Sequence, residues 1–104
     1  MLITLFYIPF PTNSEATSLG LKTIENRLAA CSNVFPIQSI FPWDGVIQHE
    51  DEFILILKTI PSLENQLRSF ISEYHSYDVP CIASWNVEVN DKYGEWVKEN
   101  VRQF

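Results

Sequence analysis

Apolar residues run almost without a break from Leu2 to Ile8, in a stretch rich in β-forming side chains. A short unpunctuated run of this kind predicts a central strand covered on both faces. Pro9-Phe10-Pro11 predicts its end. The period then changes. Gly20, Leu21, Ile24, Leu28 and Cys31 recur at helical spacing. They follow Thr12-Asn13-Ser14-Glu15, which reads as a capping box: the Thr12 hydroxyl takes the amide three residues on, and Glu15 reaches back. Gly20 costs about 1 kcal/mol relative to alanine inside a helix, so its presence predicts close packing on a sheet.

Val34 to Trp43 is extended but holds Pro36 and Pro42. Proline cannot donate to a ladder, so this segment is expected at a sheet edge. Asp44-Gly45 predicts a tight hairpin turn. Val46 to Ile60 then forms a long strand of two characters. Gln48 to Glu52 is polar and projects from the body, whereas Phe53 to Leu57 is apolar and lies within the sheet. Pro61 opens a second helix, with Leu63, Leu67, Phe70, Ile71 and Tyr74 on one stripe. Pro80 opens a fourth strand. Cys81, Ala83, Trp85, Val87 and Val89 share one face, and Ile82, Ser84, Asn86 and Glu88 share the other. Asn90 or Asp91 caps a last helix that packs through Tyr93, Trp96, Val97, Val101 and Phe104.

The order is β-α-β-β-α-β plus a C-terminal helix, the split-βαβ, ferredoxin-like arrangement of an α+β fold. One domain over residues 1–104 accommodates it. The second and fourth strands fall at the edges, and the hairpin is longer than such a sheet needs. A long exposed edge invites aggregation unless it is covered, and the ordinary cover is strand pairing with other subunits of a closed ring. The hairpin is therefore expected to form intersubunit sheets.

Composition narrows the function classes. The net charge of −6 repels phosphate backbones and anionic membrane surfaces, so neither nucleic acid nor membrane is an expected partner. Cys31 and Cys81 form no CxxC pair and no zinc spacing. Two thiols in a chain with a sufficient core read as reduced, which points to the cytoplasm. The apolar start lacks a basic n-region and reads as a strand rather than a signal peptide. No cofactor is required for folding. No nucleophile elbow, phosphate loop or HExxH occurs, so no enzyme activity is expected.

Five segments carry a resemblance. Asn26-Arg27-Leu28-Ala29-Ala30-Cys31-Ser32-Asn33-Val34, Ser39-Ile40-Phe41-Pro42-Trp43-Asp44-Gly45, Glu52 to Thr59, His75-Ser76-Tyr77-Asp78-Val79-Pro80 and Tyr93 to Val97 follow one another in order. Together they resemble the CutA family of divalent-cation tolerance proteins over nearly the whole chain. The resemblance implies a ferredoxin-like homotrimer whose hairpins pair between subunits. It also implies binding of copper or another divalent cation, with a role in metal tolerance. Family members are compared with PII-type signalling trimers, so the alternative is an adaptor that takes a small anion or a protein in intersubunit clefts. For copper, the resemblance implies a cysteine late in the first strand and a His-His pair, as in some bacterial members. Here Ile8 and Tyr74-His75 stand at those positions, Ser76 replaces a proline, and Cys81 replaces a glutamate.

The candidate metal ligands are accordingly His75, Cys81, Glu50 and Glu52. Imidazole suits copper or zinc, thiol suits soft ions, and carboxylate pairs hold hard ones. Each has a plainer reading: His75 as a helix-end cap, Cys81 as a small strand residue, and the glutamates as a solvated face that discourages wrong pairing. Trp43, Lys58 and Tyr77 are the candidate cleft or interface residues. Trp43 reads as an interface anchor, and Lys58 and Tyr77 as lining for an anionic ligand.

Overall fold

A computed structural model describes residues 1–103; Phe104, counted above among the packing residues, lies outside them. Four strands and three helices alternate as the periodicity predicts: β1 (Leu2–Phe10), α1 (Asn13–Glu25), β2 (Cys31–Trp43), β3 (Val46–Thr59), α2 (Glu64–Tyr74), β4 (Ala83–Glu88) and α3 (Asp91–Glu99). A single 3-10 turn, Pro61–Leu63, leads into α2. The sheet is antiparallel in the order β2-β3-β1-β4, so the proline-bearing β2 is at an edge.

β1 runs through Pro9 rather than ending before it. The register explains the tolerance. β4 stops opposite Tyr7, and Pro9 pairs only with Ile54 of β3. In an antiparallel ladder the N and C=O of one residue point to the same side. The Pro9 carbonyl meets the His75 ring, so its missing N–H also falls on that vacated side.

α1 ends earlier than the spacing suggested. Asn26 caps it, Arg27 takes a left-handed φ of 56°, and Leu28 and Cys31 leave the helical stripe, with Cys31 opening β2. A local cap ends it, with the Arg27 N–H on the Ile24 carbonyl and the Leu28 N–H on the Thr23 carbonyl, and the Arg27 guanidinium also donates to the carbonyls of Glu99 and Val101.

One sheet face carries Thr4, Phe6, Ile8 and Phe10 of β1 beside Leu57, Leu55 and Phe53 of β3. α1 and α2 cover it with Ala16, Leu19, Leu67 and Ile71, and these make the core. Two of the largest strand side chains, Phe6 and Phe10, are wholly buried there. β4 turns its polar positions to this side. Ser84 stands beside Phe6, and Asn86 beside Thr4. They are satisfied: the Thr4 hydroxyl donates to Asn86 at 2.7 Å, Ser84 donates to Glu64, and Arg68 donates to Ser84 and the Ile82 carbonyl.

The opposite face has no helix layer over its centre. Leu5 and Tyr7 of β1, Ile56 of β3, Phe35 of β2, and Ala83 and Trp85 of β4 share it by register. Trp85 is 44% exposed and Phe35 40%.

β2 and β3 continue together past the end of β1. The pairs from Ile37↔Glu52 to Trp43↔Val46 have no third strand beside them. At ~3.3 Å per residue this arm projects roughly 23 Å. Its turn places Asp44 at φ 51° and Gly45 at φ 76°, the pair of left-handed residues that a type I′ hairpin needs. The molecule measures 46 × 24 × 21 Å with a radius of gyration of 14.5 Å. A compact chain of this length has about 13 Å, and the arm accounts for the excess.

Candidate functional site

α2 ends at Tyr74, and the chain turns into extended backbone at His75. The His75 ring stacks on Phe10 at 4.2 Å between centroids and 14° between planes. The Tyr77 backbone N–H donates to Nδ1 at 3.1 Å. Nδ1 is therefore the lone-pair nitrogen, and Nε2 carries the hydrogen that it donates to the Pro9 carbonyl at 2.8 Å. The imidazole is neutral in this arrangement and both nitrogens are engaged. A metal ion at either would displace an existing hydrogen bond.

The Tyr77 ring sits 4.9 Å from His75, and its hydroxyl donates to Glu52 Oε2 at 2.8 Å. Burial pushes the Tyr77 phenol up to about 12, helped by the hydrogen bond to Glu52 and by the negative charges of Glu52, Glu15 and Glu50. Glu52 is the first residue of β3 beyond the last β1 pair. Tyr77 thus meets the arm at its root.

Glu15 does not close the capping box. Thr12 does accept the Glu15 N–H at 3.1 Å. The Glu15 carboxylate instead accepts the Ser76 N–H and the Ser76 hydroxyl, each at 3.0 Å. Two acceptor oxygens spent on one residue anchor the loop after α2 to α1. The capping-box spacing assigned the Glu15 carboxylate another partner; nothing in its local sequence names Ser76.

Of the candidate residues, His75, Tyr77 and Glu52 come together. Glu50 lies one pleat further along the arm on the Glu52 face and is exposed. Cys81 is a free, exposed thiol in the stretch before β4, which starts at Ala83 rather than Pro80. Lys58 is at the other end of β3, paired across to Cys31 and Leu5, with its ammonium 5.5 Å from the Tyr93 ring centre. Trp43 is at the arm tip, 66% exposed. Some 12 residues of β3 separate the levels of Trp43 and Lys58, or roughly 40 Å. Trp43, Lys58 and Tyr77 line no common cleft within one subunit. Among the described residues no three His, Cys, Asp or Glu side chains converge in metal-binding geometry.

The sequence matches the family model described as CutA1 divalent ion tolerance protein over residues 4–100. The divalent-cation tolerance protein CutA of Archaeoglobus fulgidus is 38% identical over 96 residues, covering 91% of this chain and 94% of that protein. The chloroplastic protein CutA of Arabidopsis thaliana is 35% identical, covering 92% of this chain and 54% of its own. Among solved structures, CutA1 from Ehrlichia chaffeensis superposes with a TM-score of 0.94 at 33% identity, covering 97% of this chain and 96% of that one. The periplasmic divalent cation tolerance protein CutA from Archaeoglobus fulgidus gives 0.91 at 35% identity, covering 96% and 99%. The relatives' names place one in the chloroplast and another in the periplasm, so they carry no single compartment to this chain. A model match across nearly the whole length, relatives above 30% identity and the shared fold agree: the chain belongs to the CutA1 family of divalent ion tolerance proteins.

Proposed function

We propose that the protein acts as a homotrimer that binds a divalent cation, copper among the candidates, and serves metal tolerance. The observation that carries the assembly is the exposed apolar side chains on the open sheet face and on both faces of the arm. Ile40, Trp43 and Ile47 are each about two-thirds exposed, Trp43 on the same arm face as Phe35 by register and Ile40 and Ile47 on the other. Exposed large apolar side chains gathered on one projecting element mark an interaction site. A face and an arm that are different surfaces call for a heterologous contact, and three such contacts close a ring.

The cation is held between subunits. Glu50 and Glu52 offer oxygen donors on the arm, and Cys81 offers an exposed thiol. His75 joins only by giving up one of its two hydrogen bonds. Oxygen donors from the arm favour a hard divalent ion, and recruitment of Cys81 favours copper or zinc. The role is binding, with no catalytic reaction assigned. Two free thiols fit a reducing compartment, which supports the cytoplasm.

Light scattering with titration calorimetry tests both halves. A trimer mass at micromolar concentration, with heat on adding copper, zinc or manganese that is lost in Glu50→Gln/Glu52→Gln/Cys81→Ser, supports the proposal. A monomer overturns the assembly. Absence of heat with all three metals overturns the cation role. Heat with a nucleotide but with no metal favours the PII-like reading instead.

A further inference from the structure

We propose that Tyr77 is a positioning residue for the arm, clamping its root so that β2 and β3 leave the body at one fixed angle. The arm is otherwise a two-stranded ribbon, and such a ribbon is marginally stable alone in water. Among the described residues, the Tyr77–Glu52 hydrogen bond is the single side-chain hydrogen bond that reaches the arm from the body. It falls at the root of the arm, because Glu52 immediately precedes Phe53, the first β3 residue that β1 supports.

The clamp has a rigid base. The Pro9 carbonyl at the end of β1 accepts from His75, His75 accepts the Tyr77 N–H, and Glu15 of α1 holds Ser76 between them. His75 is in turn stacked on the wholly buried Phe10. The end of β1, the start of α1 and the end of α2 therefore all fix the loop whose phenol grips β3. A tyrosine serves here where phenylalanine would not: the ring packs on His75, and the hydroxyl supplies the grip. This matters for assembly because an arm free to swing must lose that freedom when subunits associate, whereas a clamped arm is already aimed. The consequence for assembly rests on the trimer proposed above; the clamp itself does not.

Hydrogen exchange by mass spectrometry on Tyr77→Phe tests it, alongside light scattering of parent and variant across a dilution series. The expected result is exchange about three- to tenfold faster in residues 37–52 with the core unchanged, the range that one hydrogen bond allows. Trimer dissociation should shift to higher protein concentration by a similar factor. Glu52→Ala should speed the arm's exchange to the same extent, and the double variant should add nothing further. Equal arm exchange in parent and Tyr77→Phe overturns the clamp, whatever the mass. Additive effects of the two single variants overturn it as well. Should the parent prove monomeric, the trimer reading fails, and the exchange comparison still decides the clamp.

Discussion

Gly20 sits inside α1 with its Cα against the sheet, and replacing it with alanine sets two terms of known sign against each other. Removing glycine from a helix interior gains about 1 kcal/mol. The new methyl would stand 3.0 Å from Ser32 Oγ, 3.1 Å from Leu55 Cδ1 and 3.2 Å from Ser32 Cβ. Ser32 Oγ can rotate away, but its Cβ is fixed to β2. Leu55 is wholly buried in the core and has nowhere to go. Overpacking of this kind costs about 1–3 kcal/mol. The steric term wins, and Gly20→Ala should lose about 1 kcal/mol. A chain near this size then melts roughly 4–8 °C lower. Melting should be followed at one fixed protein concentration, since assembly makes the midpoint concentration-dependent. Leu55→Val deletes the contacting methyl, so Gly20→Ala should cost less in that background than in the parent. A Gly20→Ala protein as stable as the parent, or strictly additive effects in the pair, would refute the claim that Gly20 is there for close approach.

Gly94 presents the same conflict: an added methyl meets Met1, with Sδ at 2.5 Å, Cγ at 2.9 Å and Cβ at 3.0 Å. The thioether can swing away, but Met1 Cβ is fixed to a residue whose carbonyl accepts the Val89 N–H, so Gly94→Ala should cost about 1 kcal/mol in a denaturant titration. Tyr77 should titrate to tyrosinate well above the ordinary phenol range in an alkaline absorbance scan. Its folded value, about 12, lies above its ordinary one. The stability linked to this group is therefore complete below pH ~10 and lost as pH rises through about 12. Thr12→Ala removes the acceptor of the Glu15 N–H and should cost about 1 kcal/mol, with faster exchange confined to the first turn of α1.

Element type and order were legible because each rests on local periodicity. The edge position of β2 was legible because Pro36 and Pro42 lack a donor. What local pattern could not supply was the partner at long range. Leu28 and Cys31 fit the helical period after Ile24, yet a left-handed Arg27, where glycine is the usual signal, closes the helix before them, and its guanidinium meets carbonyls more than seventy residues away. Pro9 looked like a stop until the short β4 left its side of the ladder vacant. Glu15 was a sound capping-box residue whose carboxylate Ser76 claims instead. At the site, the motif around His75 drew notice to the loop that meets the arm root, but a sequence lists donors without saying which are already engaged. The hydrogen bonds to Nδ1 and Nε2 decide that question for His75.

β4 is the element whose pattern runs against a lone subunit. Its alternation turns Ser84 and Asn86 toward the helices and Ala83 and Trp85 toward the open face. The inward polar groups cost little, because Thr4, Glu64 and Arg68 satisfy them, and among the described residues no buried side-chain nitrogen or oxygen lacks a partner. The outward apolar groups do cost. A tryptophan presents up to about 250 Å² of surface, so leaving 44% of Trp85 in water forgoes up to roughly 3 kcal/mol at about 25 cal/mol per Å². Phe35 and the arm's Ile40, Trp43 and Ile47 add to that sum in the same direction. Net folding stability is only of order 5–15 kcal/mol, so a deficit of this size is large for one small chain. The inverted alternation of β4 is thus economical only when another surface lies over Trp85. Trp85→Ser separates the cases: it should leave a monomer's fold little changed, but weaken a trimer by a factor of ten or more in the concentration at which its mass falls by half.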